Sequence, residues 1–276
     1  MNKYMHTLIR PSSNLEIISR YLNIGFLLLA FIVLVALEIE PAGWILLLIS
    51  TGLLFLTDEK HTKNIALIHI STAVLGLAPV GTDTSLPFAF YMGIGLFLAV
   101  LIPYIFTQYV YRNNFIVFPS LREKAWGKKR ATYLLLTLLL SWLLIPLMLR
   151  SNSSYLNWAL EPGFLDLTVA YLGLNAVGIW DELFFILTLL AILQRFFPFI
   201  VANAIQAVFF TSFLYAVGFE GWSFVVIYMF AFAQGYIFKK TKSLLFILAI
   251  HLTIDLVLHL SLVYLHFPWL FPYFIT

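Results

Sequence analysis

The amino-acid sequence predicts an all-α fold, a polytopic bundle of about nine transmembrane helices (seven to nine), with the N-terminus cytoplasmic. The first support is composition. Of 276 residues, 62% are hydrophobic and 11% charged, against about a quarter charged in an ordinary soluble domain. A soluble globule of this length leaves too much surface facing water to hide so much apolar side chain, whereas lipid accepts it. The second is pattern. The apolar residues run continuously over membrane-crossing lengths and do not alternate, which argues against a β-barrel. The third is the distribution of positive charge, which fixes the orientation.

The candidate spans are residues 21–37, 41–56, 64–80, 88–111, 131–149, 165–196, 198–217, 222–238 and 244–265. The first is a retained span and not a cleaved leader, because Leu22 to Leu37 lacks a small-residue cleavage site and is followed directly by Glu38 and Glu40. The second and third are short enough to be interfacial or re-entrant, and dropping both leaves seven crossings. The sixth is long enough to tilt, kink or project beyond the bilayer. With sides alternating from an inner N-terminus, 15 of the 16 Lys and Arg fall in inner segments and only Arg150 outside. The inner set is Lys3, Arg10, Arg20, Lys60, Lys63, Arg112, Arg122, Lys124, Lys128, Lys129, Arg130, Arg195, Lys239, Lys240 and Lys242. This is the bias of the positive-inside rule.

No internal repeat or linker divides the chain. Residues 1–130 are expected to form N-terminal helices and a basic cytoplasmic loop, and residues 131–276 a core bundle, the two making one membrane domain. With no cysteine, disulfides, thiolate nucleophiles and cysteine-ligated metals are excluded. Trp126, Trp158, Trp222, Tyr104, Tyr109 and Tyr111 fall near span ends and fit an interfacial aromatic belt. The aromatic tail from Phe267 to Thr276 is expected in the interface. Asn152-Ser153-Ser154 is a glycosylation acceptor only in a eukaryotic cell. Nothing points to nucleic acid. The lipid bilayer is the partner that composition requires, and a multi-pass place in the plasma membrane of a prokaryote is the expected location.

Four ionisable groups stay deep inside predicted spans: Asp181 and Glu182 in the sixth, His251 and Asp255 in the ninth. A charge near the bilayer centre costs at least about 2.5–3.5 kcal/mol, so such groups face the bundle interior and mark function by default. His251, Asp255 and His259, spaced i, i+4 and i+8, share one helix face. His251 lies roughly 13 Å from Lys242, and Glu182 roughly 20 Å from Arg195, both mid-membrane depths. A carboxylate and an imidazole at similar depth can meet between two helices and hold a water, which supplies the parts for general-base attack on a carbonyl. The plainer reading of an intramembrane Asp–His pair is structural glue. It is also the reading for His69, in the third span, and for His259, neither of which has an evident sequence partner. Asp181 beside Glu182 is harder to explain as glue, because adjacent buried acids repel.

At these residues the chain resembles the CPBP family of intramembrane proteases, which includes CAAX prenyl endopeptidases and bacteriocin-immunity proteins. The family's first motif is a glutamate pair with an arginine beyond it. Here Asp181 takes the first place, Glu182 matches the second, and Ile186 stands where arginine is expected. The third motif, a histidine followed four residues later by a polar residue, fits His251 and Asp255, and Lys239-Lys240-Thr241-Lys242-Ser243-Leu244 resembles the family's approach to it. The second motif, an aromatic residue followed four residues later by histidine, is matched to Tyr215, with Phe219 in the histidine position. The resemblance covers roughly residues 130–265.

The resemblance implies a first-motif acid that activates water, with histidines and a polar residue that position it and stabilise the oxyanion. On that basis Glu182 is the expected base with Asp181 beside it, and His251 and Asp255 complete the site. The implied substrate is a membrane-embedded or prenylated protein or peptide, cut near the cytoplasmic face. The departures weigh against ordinary turnover. Losing one preorganised donor costs about 10²–10³ in rate. Losing the arginine leaves the acid pair less compensated, which favours a shared proton over two charges. Whether the chain is an enzyme stays open between a divergent intramembrane endopeptidase and a pseudoenzyme that binds or scaffolds a membrane partner. A small proton-linked transporter is a third reading. No cofactor is expected. A divalent metal is weakly supported, because His251 among carboxylates offers few nitrogen ligands for zinc.

Overall fold

The computed structural model describes residues 13–83, 85–119 and 126–271. Lys3, Arg10, Arg122, Lys124 and the last five residues of the aromatic tail lie outside the described residues. Among the described residues the chain forms nine helices, one over each predicted span: α1 Asn14–Ala36, α2 Glu40–Leu54, α3 Glu59–Leu77, α4 Leu86–Val110, α5 Lys128–Ser151, α6 Phe164–Leu193, α7 Phe199–Ala216, α8 Ser223–Thr241 and α9 Leu244–His266. The ends follow local chemistry. Ser13, Asp58 and Ser243 cap α1, α3 and α9 by accepting from backbone N–H groups in the first turn. Pro41 and Pro87 occupy the first turns of α2 and α4, where no amide donor is needed.

Six helices, α1, α4, α5, α6, α7 and α9, are long and apolar enough to cross a membrane, so the protein is a polytopic helical membrane bundle. The other three differ for identifiable reasons. Helix α2 has only 15 residues. In α3 hydropathy is lowered by exposed Glu59, Lys60 and Lys63 in its first turns and by His61, Asn64, His69, Ser71 and Thr72, which are buried within the bundle. Helix α8 carries Gln234, also buried, and ends in Lys239 and Lys240.

The polar residues of the first three helices partner one another. Asn23 donates to the Ser50 carbonyl at 2.6 Å. Ser50 Oγ lies 2.8 Å from His69 Nε2, and His69 Nδ1 lies 3.0 Å from the Ile65 carbonyl. His69 is therefore interior glue, in keeping with the plainer reading of it.

The two ends of the bundle are chemically distinct. At one end Arg20 reaches Glu16 and Asp58, each at 2.6 Å. There too Arg195 donates to Asn64 at 3.2 Å, and the Lys239 ammonium sits 3.8 Å from the centre of the Phe199 ring. Asp58 lies between α2 and α3. Burial alone would raise its pKa, but the His61 backbone N–H, Glu16 and Arg20 outweigh this and hold it below the ordinary 3.8. At the opposite end, Asn152 donates to the Glu220 carbonyl, Asn157 to the Gly218 carbonyl, and Trp222 to Ser151 Oγ, each at 2.8 Å.

Candidate functional site

Helices α6, α8 and α9 bring the intramembrane acids and the imidazole together. Glu182 Oε1 lies 2.9 Å from His251 Nδ1 and accepts a hydrogen bond of 2.7 Å from Gln234 Nε2. The same Gln234 Nε2 donates to the Ile247 carbonyl at 3.1 Å, which ties α8 to α9 beneath the cluster. The far side of the ring, Nε2, sits 3.7 Å from Asp181 Oδ2 and 3.8 Å from Asp255 Oδ1. Thus all four residues expected from the sequence, Asp181, Glu182, His251 and Asp255, form one cluster around one imidazole. All are buried, with Glu182 fully so.

Two backbone features make this approach close enough. Gly178 lies on α6 where it meets α9. A Cβ there would overlap the Asp255 carboxylate and stand 3.2 Å from His251 Cδ2. From Glu182 to Leu189 the chain is π-helical, with wider i→i+5 hydrogen bonding. Such turns rotate the residues that follow and recur at functional positions.

The cluster forms part of the wall of a cavity of about 870 Å³ between α4, α5, α6, α8 and α9. That volume suits a sizeable ligand or a peptide segment. Asp181, His251, Asp255 and Gln234 border it, and Glu182 does not. Of the two adjacent acids, Asp181 is the one that borders the open space. Asp181 Oδ1 and Asp255 Oδ2 are buried with no protein hydrogen-bond partner. Buried polar atoms of this kind are ordinarily met by water.

The departures from the family pattern also have places. Ile186 is buried away from the cavity, toward the basic end, so no cation from α6 faces the acids. Phe219 lies beyond the end of α7, edge-on to Trp158 with ring centres 5.1 Å apart, where both border the cavity mouth. This corrects two expectations. Trp158 is buried and is not part of an interfacial belt. The residue of α7 that faces the imidazole is Phe210, 6.0 Å from it, with Phe230 of α8 at 5.3 Å. The aromatic walls leave no second imidazole on α7. His259 borders the same cavity, with its ring 5.2 Å from Tyr171.

Sequence reasoning passed over Gln234 and Gly178. A lone glutamine in the middle of an apolar span was the available signal for the first. Nothing local marks Gly178, because its role arises from a helix that is remote in sequence. Among the described residues, no group of three or more His, Asp or Glu side chains is arranged to hold a metal ion. The cluster can hold a water against a carboxylate with an imidazole beside it.

No curated protein and no solved structure shows a significant match to the chain. A family model does match, described as type II CAAX prenyl endopeptidase Rce1-like, and the stretch it covers includes Asp181, Glu182, Gln234, His251 and Asp255. Residues 163–257 of this multi-span membrane protein are thus an Rce1-like domain, of the CPBP type anticipated from the motifs.

Proposed function

We propose that the protein is an intramembrane endopeptidase that hydrolyses a peptide bond with a water activated by Asp181. The observation that carries this reading is the acid–imidazole cluster bordering a large cavity within the membrane bundle. Asp181 takes a proton from water as the oxygen attacks the scissile carbonyl carbon. His251, protonated on both ring nitrogens in this step, donates its Nε2–H to the developing oxyanion. The proton held on Asp181 passes to the departing amine nitrogen as the C–N bond breaks. Glu182 is the orienting carboxylate. It fixes His251 through Nδ1 and is itself held by Gln234, an arrangement like that of the carboxylate behind a catalytic histidine. Asp255 flanks Nε2 from the next turn of α9.

All nine helices cross the bilayer in this reading, with the N-terminus and the basic end cytoplasmic. The buried polar residues of α3 allow it to span despite its low hydropathy. Residues 131–276 supply the acid–imidazole cluster, and residues 1–130 brace α6 and α7 and add α4 to the cavity wall. A catalytically impaired relative that binds a membrane partner is the second reading. It is favoured by the absence of an imidazole on α7, where Phe210 faces His251.

Purified protein in liposomes, incubated with a library of transmembrane peptides and followed by mass spectrometry, tests the proposal. Discrete product pairs are expected. Intact peptides throughout would favour the binding role.

A further inference from the structure

We propose that the acid–imidazole cluster includes a cation subsite, in which Asp255 takes the ammonium or guanidinium of a basic residue carried by an otherwise apolar peptide segment in the cavity. Calling that segment a substrate rests on the endopeptidase reading. The pairing itself does not.

The first ground is charge. The three carboxylates of Asp181, Glu182 and Asp255 meet around one imidazole. Protonation of His251 on both nitrogens balances one of the three negative charges. Ile186, in the arginine position of the first motif, brings no cation. Among the described residues that border the cavity there is no Lys or Arg. Lys239 and Lys242 lie instead beside a separate void of about 20 Å³ at the basic end.

The second ground is unmet bonding capacity. Asp181 turns Oδ2 and Asp255 turns Oδ1 toward His251 Nε2, at 3.7 and 3.8 Å. The other oxygen of each carboxylate is buried with no partner. The two residues are 1% and 5% exposed, and both border the cavity. Donors of the cavity wall are committed elsewhere. Gln234 Nε2 serves Glu182 and the Ile247 carbonyl, Trp180 Nε1 the Leu96 carbonyl, and Ser141 Oγ the Leu138 carbonyl. Folding has already stripped water from these carboxylates, so an entering cation meets a preformed counter-charge.

The shape of the site indicates how that cation arrives. Among the described residues no group of three or more His, Asp or Glu side chains is arranged to hold a metal ion. The cavity of about 870 Å³ holds far more than an ion, and its walls are mostly apolar, which suits a charge delivered on the side chain of an apolar segment. A cation on Asp181 would block the proton acceptor of the proposed reaction, so Asp255 is the partner. Both acids flank one nitrogen. The basic residue therefore sits within about two positions of the scissile bond, at roughly 3.3–3.6 Å of chain per residue.

A peptide series tests the subsite on the full chain in nanodiscs of neutral lipid. One apolar segment carries a single lysine moved through successive positions. At each position norleucine, which keeps the stem and drops the charge, and glutamate replace it. Binding is read from the fluorescence of a labelled peptide against empty nanodiscs, and cleavage is followed in the same samples by mass spectrometry.

We expect lysine at one or two adjacent positions to bind about tenfold or more tighter than norleucine there, the scale of a close desolvated charge pair, with glutamate weakest. In Asp255→Asn, which keeps the shape of the side chain, the lysine advantage should disappear while norleucine peptides bind as before. Equal binding of lysine and norleucine at every position, no binding by any peptide, or a lysine advantage that survives in Asp255→Asn would overturn the subsite. The lysine–norleucine comparison uses the unaltered protein and so does not depend on the folding of the variant. A lysine advantage without any cleavage would keep the subsite and remove the endopeptidase reading.

Discussion

Asparagine at position 181 is expected to slow peptide cleavage by about 10²–10⁴, the contribution of a positioned general base. The amide matches the carboxylate in shape but cannot take a proton from water. The substitution leaves the volume of a buried site unchanged, so the fold should survive. The loss should appear in kcat, with KM little changed, because the interaction is made in the transition state. Glu182→Gln is expected to lose less, since its amide oxygen can still accept from His251 Nδ1. Parental kcat in Asp181→Asn would remove Asp181 from the chemistry. A larger loss in Glu182→Gln than in Asp181→Asn would return the base role to Glu182.

Arg20→Ala is expected to destabilise the protein by about 3 kcal/mol or more, the scale for removing one partner from a buried ion cluster. Arg20 is 2% exposed and holds Glu16 of its own helix and Asp58 at the start of α3. Truncation leaves two carboxylates facing each other with the cation gone. Unfolding in mixed micelles measures the effect, and a shift below about 1 kcal/mol would show the cluster to be a weak surface-like pair. Asp58 also sets a pH dependence. Because its folded pKa is depressed, its contribution is full above the ordinary 3.8 and is lost as pH falls through the lowered value. Stability should therefore drop on acidification in the parent, and less so in Arg20→Ala.

Much of this architecture was legible in the chain because membrane helices obey one strong rule. Every backbone polar group must be satisfied within the helix, so long apolar runs become helices. All nine runs did, and caps such as Ser13 and Asp58 set their first turns. The meeting of Glu182 with His251 followed from the cost of stranding either group in hydrocarbon and from their matched depths. What could not be read was rotation. Asp181 and Glu182 are neighbours, and which one faces the cavity depends on how α6 turns and on the π-helical stretch that begins at Glu182. A hydropathy pattern does not encode that. The same holds for Phe219. It stands in the family's histidine position by alignment, but α7 ends at Ala216 and Gly218 turns the chain with φ +99°. Phe219 then packs on Trp158 at the mouth. Gln234 shows a further limit, because a single polar residue in an apolar span signals burial without naming its partner.

The most direct measurement is the oxygen isotope content of peptide termini formed by the liposome-embedded protein in H₂¹⁸O. If Asp181 and His251 direct a water onto a peptide carbonyl, each new C-terminal carboxyl carries a heavy oxygen, and Asp181→Asn produces almost none. Unlabelled, intact peptides from the parent protein, or equal labelling by parent and variant, would contradict it.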